Sequence, residues 1–417
     1  MRINRNNLIV SPVIRISLLR IILLALAWIF VFNFETSAQE EISLAVKIDS
    51  VHNDQVELSR AERKDSIKSA KIAAGEGILS FLGGPGYTPE LKLIIAVGGL
   101  YSFKTNKEDS LIQRSSVTGS FGITSTGGQT GKAILTSFWK QDKIRIYGDL
   151  WFKNIPDNYW GVGYDNALNI PKSDSTTAYN RLYWQVFPRF LFRIKEDLYI
   201  GPVLDFNYTR GSEESAGVLA DPDYQKYGPK NYNGGAGIIL QFDSRDMPVN
   251  AYHGTLVQAI GRIYGKYLGG DNNYYLLDID FRNYQQLGKT DGQTFAWNIR
   301  GRFTTKDVPY GEMSMLGSPM DLRGYTWGRF RNESMIYFIG EYRHMFNKRA
   351  TGERGKHGFV AWIAGGSIME DVTKIDNFLP NFGAGYRFAV QPRMNVRFDF
   401  GFGRDNFGFY FNFTEAF

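Results

Sequence analysis

The sequence has no cysteine, only four histidines and 14 prolines in 417 residues, and no long apolar run beyond its first segment. Without cysteine there is no disulfide framework, no thiolate metal site and no thiol nucleophile. The histidines stand at 52, 253, 344 and 357 with no H-x-H or H-x-x-x-H spacing, so nothing supports a zinc centre. Forty-three per cent apolar residues, 15% aromatics and 45 glycines argue against overall disorder and leave room for one large or two ordinary domains. Past the first segment no run approaches the ~20 apolar residues that a spanning helix needs. If the mature protein crosses a membrane, it crosses as strands.

The first segment carries Arg2, Arg5, Arg15 and Arg20, then the apolar run Ile21 to Phe32, then the small-residue site Thr36-Ser37-Ala38. That layout reads as a secretory signal peptide over 1–38, the run being too short for a membrane anchor. Its removal takes four arginines and one glutamate from totals of 48 and 42, leaving 44 basic and 41 acidic residues, a net charge of +3 in place of +6. The basic balance therefore gives no warrant for nucleic-acid binding. Residues 39–76 are dense in charge and poor in aromatics, and Ser59 and Glu62 form a capping box that would open a helix to about Ala74. A solvated tether and a plug or periplasmic contact both fit this segment.

From residue 77 to 417 the hydrophobic period is two. In Arg393 to Gly403 the residues Met394, Val396, Phe398, Phe400 and Phe402 share one face, while Arg393, Asn395, Arg397 and Asp399 share the other. Lys143 to Lys153 repeats the pattern, and so does the closing stretch that ends at Phe417, the last residue. Alternation alone fits a soluble sandwich as well as a membrane barrel. The aromatic outer face, the length of the segments, and tight turns alternating with long loops favour the barrel. Counting back from Phe417 gives fifteen strands, and the even number of single-chain barrels requires one more at Ile78 to Gly84, followed by a loop at Pro85 to Glu90. The expected fold is all-β, a 16-stranded antiparallel transmembrane β-barrel in the outer membrane of a Gram-negative bacterium.

Three segments say more than periodicity. They are GAGIILQFDSRDMPVNAYHG at 235–254, MLGSPMDLRGYTWGRF at 315–330 with IGEYRHMF at 339–346, and the closing FGAGYRFAVQPRMNVRFDFGFGRDNFGFYFNFTEAF. Over residues 78 to 417 the chain resembles the BamA/TamA superfamily of outer-membrane assembly and translocation proteins, the bacterial surface antigen family. Leu322, Arg323, Gly324 and Tyr325 match its (V/L/I)-R-G-(F/Y) element, which the resemblance places on a long sixth extracellular loop folded back into the lumen. Asp243-Ser244-Arg245-Asp246 matches its D-T-R-D element, making Asp243, Arg245 and Asp246 a strand–turn motif. The strand count independently puts Leu322 to Tyr325 after the eleventh strand. A guanidinium in a barrel interior needs a carboxylate partner. Alternation turns Glu341 to the lumen, and the resemblance makes Glu341 the partner of Arg323. An exposed Arg323 with no fixed partner is the other reading.

Two departures qualify the resemblance. The family's second acid for the loop arginine lies in the next strand, but GFVAWIAGGSIMED has none before Glu370, so the expectation is a loop held less firmly. The insertases also carry periplasmic POTRA domains, and residues 39–76 are too few for one. The expected function is a POTRA-less barrel that aids insertion or translocation of outer-membrane or secreted proteins. Its partners would be assembly subunits, client proteins, and outer-membrane lipid and lipopolysaccharide. Lateral opening would use a seam at Gly83, Gly84 and Phe417, where glycine weakens pairing and an edge templates an incoming strand; a closed seam is the alternative. The rival function is a passive channel or small-solute transporter, because Arg145, Arg189, Arg193, Arg300, Arg302, Arg387 and Arg397 fall on predicted lumen faces. An enzyme is the least supported class, since the histidines converge on no serine and acid. No cofactor and no metal are expected.

Overall fold

A computed structural model describes residues 67–417 except 69, 89–90, 110–111, 289–291, 306, 348–353, 376, 392 and 405–406. The signal segment 1–38 and the capping box at Ser59 and Glu62 lie outside the described residues. Residues 70–73 are helical.

The first half of the sheet comprises β1 (Ile78–Thr88), β2 (Lys92–Phe103), β3 (Ser115–Thr124), β4 (Gln129–Trp139), β5 (Ile144–Asn158), β6 (Ala178–Lys195), β7 (Leu198–Ser212) and β8 (Lys230–Asp243). Next come β9 (Gly254–Tyr264), β10 (Tyr274–Gln286) and β11 (Gln293–Thr304). The chain then leaves the sheet for a loop holding the short antiparallel pair β12 (Ser314–Leu316) and β13 (Phe330–Asn332). It returns through β14 (Ser334–Asn347), β15 (Arg354–Met369), β16 (Leu379–Gln391), β17 (Met394–Phe402) and β18 (Phe407–Phe413). Leaving out β12 and β13, the strands form one 16-stranded sheet in sequence order from β1 to β18, antiparallel in every register given. The sheet curls until its end strands face each other. A Cβ on Gly86 would lie 3.4 Å from the Phe411 Cβ, and one on Gly84 would lie 3.8 Å from its Cζ.

Successive side chains on a strand point to opposite faces, so alternation in sequence becomes a sorting of residues between two environments. On β14 the residues Tyr337, Ile339, Glu341, Arg343 and Met345 are buried on the inner face, while Phe338 and Phe346 are exposed on the outer face. The same split puts Ile238, Leu240 and Phe242 outside on β8, and Phe400 and Phe402 outside on β17. Inside lie Asp205, Asn207, Gln241, Asn298, Arg397 and Asp399, all buried. A soluble sandwich hides its oily face; this sheet exposes it and hides its charges, the arrangement for lipid outside and a polar interior.

The tight connections after β4, β6, β10 and β16 lie at one end, and the long ones at 159–177, 213–229 and 305–333 lie at the other, together with the short connection 125–128. Short helices Tyr164–Asn169, Ala216–Ala220 and Pro222–Tyr227 punctuate the long loops. A cluster of Tyr159, Tyr179, Tyr224 and Tyr310 ties the three loops together, with the Tyr224 and Tyr310 rings 4.7 Å apart.

Two expected boundaries differ. The first strand does not stop at Gly84 but runs through Pro85 and Gly86 to Thr88. Proline lacks a ladder donor, and a strand at the end of a sheet tolerates that lack. The last strand does not reach Phe417: it ends at Phe413, and Thr414 takes a left-handed φ of 65°. Continued alternation from Phe409 and Phe411 would put Glu415 on the outer face. The kink brings Glu415, Ala416 and Phe417 inward, where all three are buried.

The inverted sorting makes a specific prediction at Ile363, which is 68% exposed in the middle of β15. Exposed positions of a soluble protein tolerate charge within about 0.5 kcal/mol. Against hydrocarbon, Ile363→Arg is expected to cost about 2–4 kcal/mol. Urea unfolding from phospholipid vesicles measures it, and an unchanged midpoint would contradict the lipid-facing assignment.

Candidate functional site

The loop 305–333 approaches the inner face of β14–β18 at Leu322 to Tyr325, which are all buried. Gly324 has a φ of 114°, and a Cβ there would sit 2.6 Å from the Gly401 oxygen. A Cβ on Gly401 would in turn lie 2.3 Å from the Arg323 oxygen, so this contact of loop tip and β17 needs glycine on both sides. The approach is fastened by polar groups of the wall. Tyr410 accepts the Gly324 N–H at 2.8 Å, the Tyr325 hydroxyl donates to the Pro380 carbonyl at 2.8 Å, and the Asn381 amide donates to the Arg323 carbonyl.

Arg323 is fully buried between two carboxylates. Its Nη2 pairs with Glu341 Oε1, and its Nη1 donates to Asp399 Oδ2 at 2.8 Å. The guanidinium lies 3.5 Å from the centre of the Trp362 ring, so a charge-dense fork has an aromatic face beneath it. Burial pushes this guanidinium down, and the two carboxylates more than offset it, leaving it above its ordinary value. The acid missing from β15 is thus supplied by Asp399 on β17, while β15 contributes the ring. The expectation of a loosely held loop is corrected on that account.

From Arg323 two chains of contacts lead to the same place. Through Glu341, whose Oε2 accepts from Arg343 Nε at 2.9 Å, the first reaches Phe417, since Arg343 Nη2 donates to the Phe417 main-chain oxygen at 3.1 Å. Through Asp399, whose Oδ1 accepts from Arg387 Nη1 at 2.6 Å, the second reaches Glu415, whose Oε2 accepts from Arg387 Nε at 2.8 Å. Arg397 Nη1 also donates to Asp399, at 2.7 Å, and its Nη2 donates to the Pro319 carbonyl of the loop at 3.0 Å. Loop tip and inturned tail therefore share one ionic network. Phe417, expected at the seam, instead lies by Arg343 and Tyr284. Of the other seam residues, Gly84 does face Phe411, whereas Gly83 faces Ala96 of β2, and the second glycine against β18 is Gly86.

The strand–turn motif forms a second network at the tight-turn end. Asp243 accepts from Arg145 Nη1 and from Arg245 Nε, both at 2.7 Å, while Asp142 takes the Nε of Arg145 and the Tyr199 hydroxyl, both at 2.8 Å. Asp246 pairs with Arg393 at 2.7 Å and accepts the Tyr252 N–H at 3.0 Å. The Arg393 guanidinium lies 3.5 Å from the Tyr252 ring. The 244–253 turn is thereby fixed to the turn between β16 and β17.

Sequence reasoning pairs Arg323 with Glu341 and turns Arg387 and Arg397 to the lumen, but assigns no part in these networks to Asp399, Arg343, Glu415, Trp362 or Arg393. For Asp399 the signal was present, since alternation already put it on the charged inner face. For Glu415 alternation pointed the wrong way. Among the described residues no group of three or more histidines, aspartates or glutamates is arranged to hold a metal ion.

Removing one partner of a buried ion pair leaves an uncompensated charge and costs about 3–5 kcal/mol. Arg323→Ala is therefore expected to lower the temperature at which the folded band is lost in heat-modifiability gels. Arg323→Lys should fall between, since lysine lacks the planar fork; wild-type heat resistance in Arg323→Ala would remove the anchor from the account. The same loop carries Glu312, which burial pushes up to about 7 against the opposing pull of Arg302. A raised folded-state value means the contribution is full below the ordinary carboxylate range and is lost as pH rises through about 7. Protease resistance of the loop should accordingly fall between pH 5 and pH 8, and Glu312→Gln should flatten that dependence.

Residues 117–417 match the Omp85 superfamily domain. Among solved structures, BamA from Haemophilus ducreyi lacking POTRA domains 1–3 is similar at a TM-score of 0.50 and 12% identity, over 81% of this chain and 69% of that one. CdiB from Escherichia coli is similar at a TM-score of 0.50 and 10% identity, over 81% of this chain and 62% of that one. At these identities the likeness is one of fold. A search of curated protein sequences finds no match. The chain belongs to the Omp85 superfamily and is an outer-membrane β-barrel protein of the Gram-negative envelope.

Proposed function

Taking the chain as an Omp85-superfamily barrel, we propose that it aids the insertion or translocation of outer-membrane or secreted proteins through a seam between β1 and β18. The observation that carries this reading is the composition and placement of β1. It is one end of the 16-stranded sheet, and its centre reads Gly83-Gly84-Pro85-Gly86, opposite β18 at Phe411. Proline has no N–H to donate, and glycine neither packs nor fixes register, so this edge is the weakest place in the ladder to part. A parted edge templates an incoming strand by main-chain hydrogen bonds. In this reading the barrel is closed at rest and the sixth loop lies inside it, anchored by Arg323. Client proteins and further assembly subunits are the partners.

The channel alternative draws less support. Of the seven arginines that suggested an anion path, Arg145 pairs with Asp142 and Asp243, Arg189 with Asp149, Arg300 with Asp278 and Arg302 with Glu312. Arg387 and Arg397 pair with Asp399, while Arg193 is exposed at the tight-turn end. Fixed charges neutralised in place attract few mobile ions.

The chain has no native thiol, so one engineered pair can lock the seam cleanly. The 3.4 Å between a Gly86 Cβ and the Phe411 Cβ is close to disulfide spacing. Gly86→Cys with Phe411→Cys is expected to abolish accumulation of client proteins in the outer membrane under oxidising conditions and to restore it on reduction. Full client accumulation with the disulfide formed would defeat the seam mechanism.

A further inference from the structure

The outer face of β6–β8 carries an aromatic ledge near the long-loop end. The Trp184 ring centre lies 6.2 Å from that of Tyr208 and 5.9 Å from that of Tyr232, and the three are neighbours in register. Tryptophan and tyrosine collect on barrels where hydrocarbon gives way to headgroups, and long loops mark the external side. The ledge therefore marks the headgroup level of the outer leaflet.

Two residues beyond the ledge toward the loops, Arg210 and Lys230 are direct partners across the β7–β8 ladder, and both are exposed on the outer face. Like charges directly opposite each other destabilise a ladder. The nearby acids are occupied elsewhere. Glu213 accepts from the Asn180 amide at 2.5 Å, Glu214 from the Tyr224 hydroxyl at 2.7 Å, and Asp271 from the Tyr232 N–H at 2.7 Å. Among the described residues neither Arg210 nor Lys230 forms an ion pair, although the nearby Lys226 pairs with Asp307 at 3.2 Å. Two adjacent cations at headgroup depth, above the exposed apolar Leu204 and Ile238, call for an anion attached to acyl chains.

We propose that Arg210 and Lys230 form a binding site for a phosphate of an outer-leaflet glycolipid. The guanidinium fork grips two phosphate oxygens, the ammonium neutralises the third, and the acyl chains lie along the apolar outer face below. The site rests on the outer-membrane placement alone and is independent of the seam mechanism.

The test uses the purified full chain in detergent and bis-phosphorylated lipid A as the probe, read by native mass spectrometry. Cations near an anionic headgroup each add to its retention, so Arg210→Gln with Lys230→Gln is expected to weaken retention by about 10-fold or more. The charge-preserving Arg210→Lys with Lys230→Arg should keep most of it. Dephosphorylated lipid A on the wild-type chain should bind as weakly as the probe does on the double glutamine variant, a comparison that needs no variant to fold. Equal retention by wild type and the glutamine variant, or equal binding of phosphorylated and dephosphorylated lipid, overturns the proposal. Displacement of lipid A by an equal concentration of inorganic phosphate overturns it too, by assigning the site to the free ion.

Discussion

A guanidinium removed from water is tolerated only where carboxylates meet it in the right plane, and Arg323 satisfies that condition with Glu341, Asp399 and the face of Trp362. The rest of the inner wall is arranged around it. Its two acids stand on β14 and β17, so a single loop residue bridges strands that have no ladder with each other. Each acid is shared with a further arginine, and those arginines hold the inturned tail. Displacing the loop would therefore disturb the tail as well, because the acids that bind Arg323 also bind the arginines that hold the tail.

The chemistry of the interior and that of the seam are opposites. Inside, four arginines at 323, 343, 387 and 397 meet three carboxylates at 341, 399 and 415, all of them buried, in contacts that permit little movement. At the edge, β1 offers glycine and proline, which permit a great deal. A barrel that must keep its shape while parting at one line would need this division. The inward kink at Thr414 shortens β18 relative to β1, so the two end strands are unequal in length.

Much of this was legible in the sequence because a membrane barrel writes its environment into every second residue. The strand count, the face assignments of β14 and β17, and the position of Leu322 to Tyr325 after the eleventh strand all followed from period and turn chemistry. What escaped has a common cause. Pro85 looked like a breaker because its place at the end of the sheet was invisible. Glu415 was lost because alternation ceases at a left-handed residue that nothing in Thr414 announces. Asp399 went unpaired because the acid was sought on the neighbouring strand, and sequence alone does not say that a loop tip will reach β17. Local rules recover the wall; contacts across the interior are a property of its closure.

Those interior contacts also bear on how such a chain folds. Arg323 and Asp399 are 76 residues apart in sequence, and Arg145 and Asp243 are 98 apart. Pairs this distant form only after long loops have closed, which places the molecule among slow folders of high contact order. Meanwhile the apolar residues of its outer face, which in a soluble protein would collapse early, stay exposed until lipid receives them. The fold thus offers that outer face no refuge of its own, and the passage of the chain to the membrane has to be protected from aggregation by something other than its own fold.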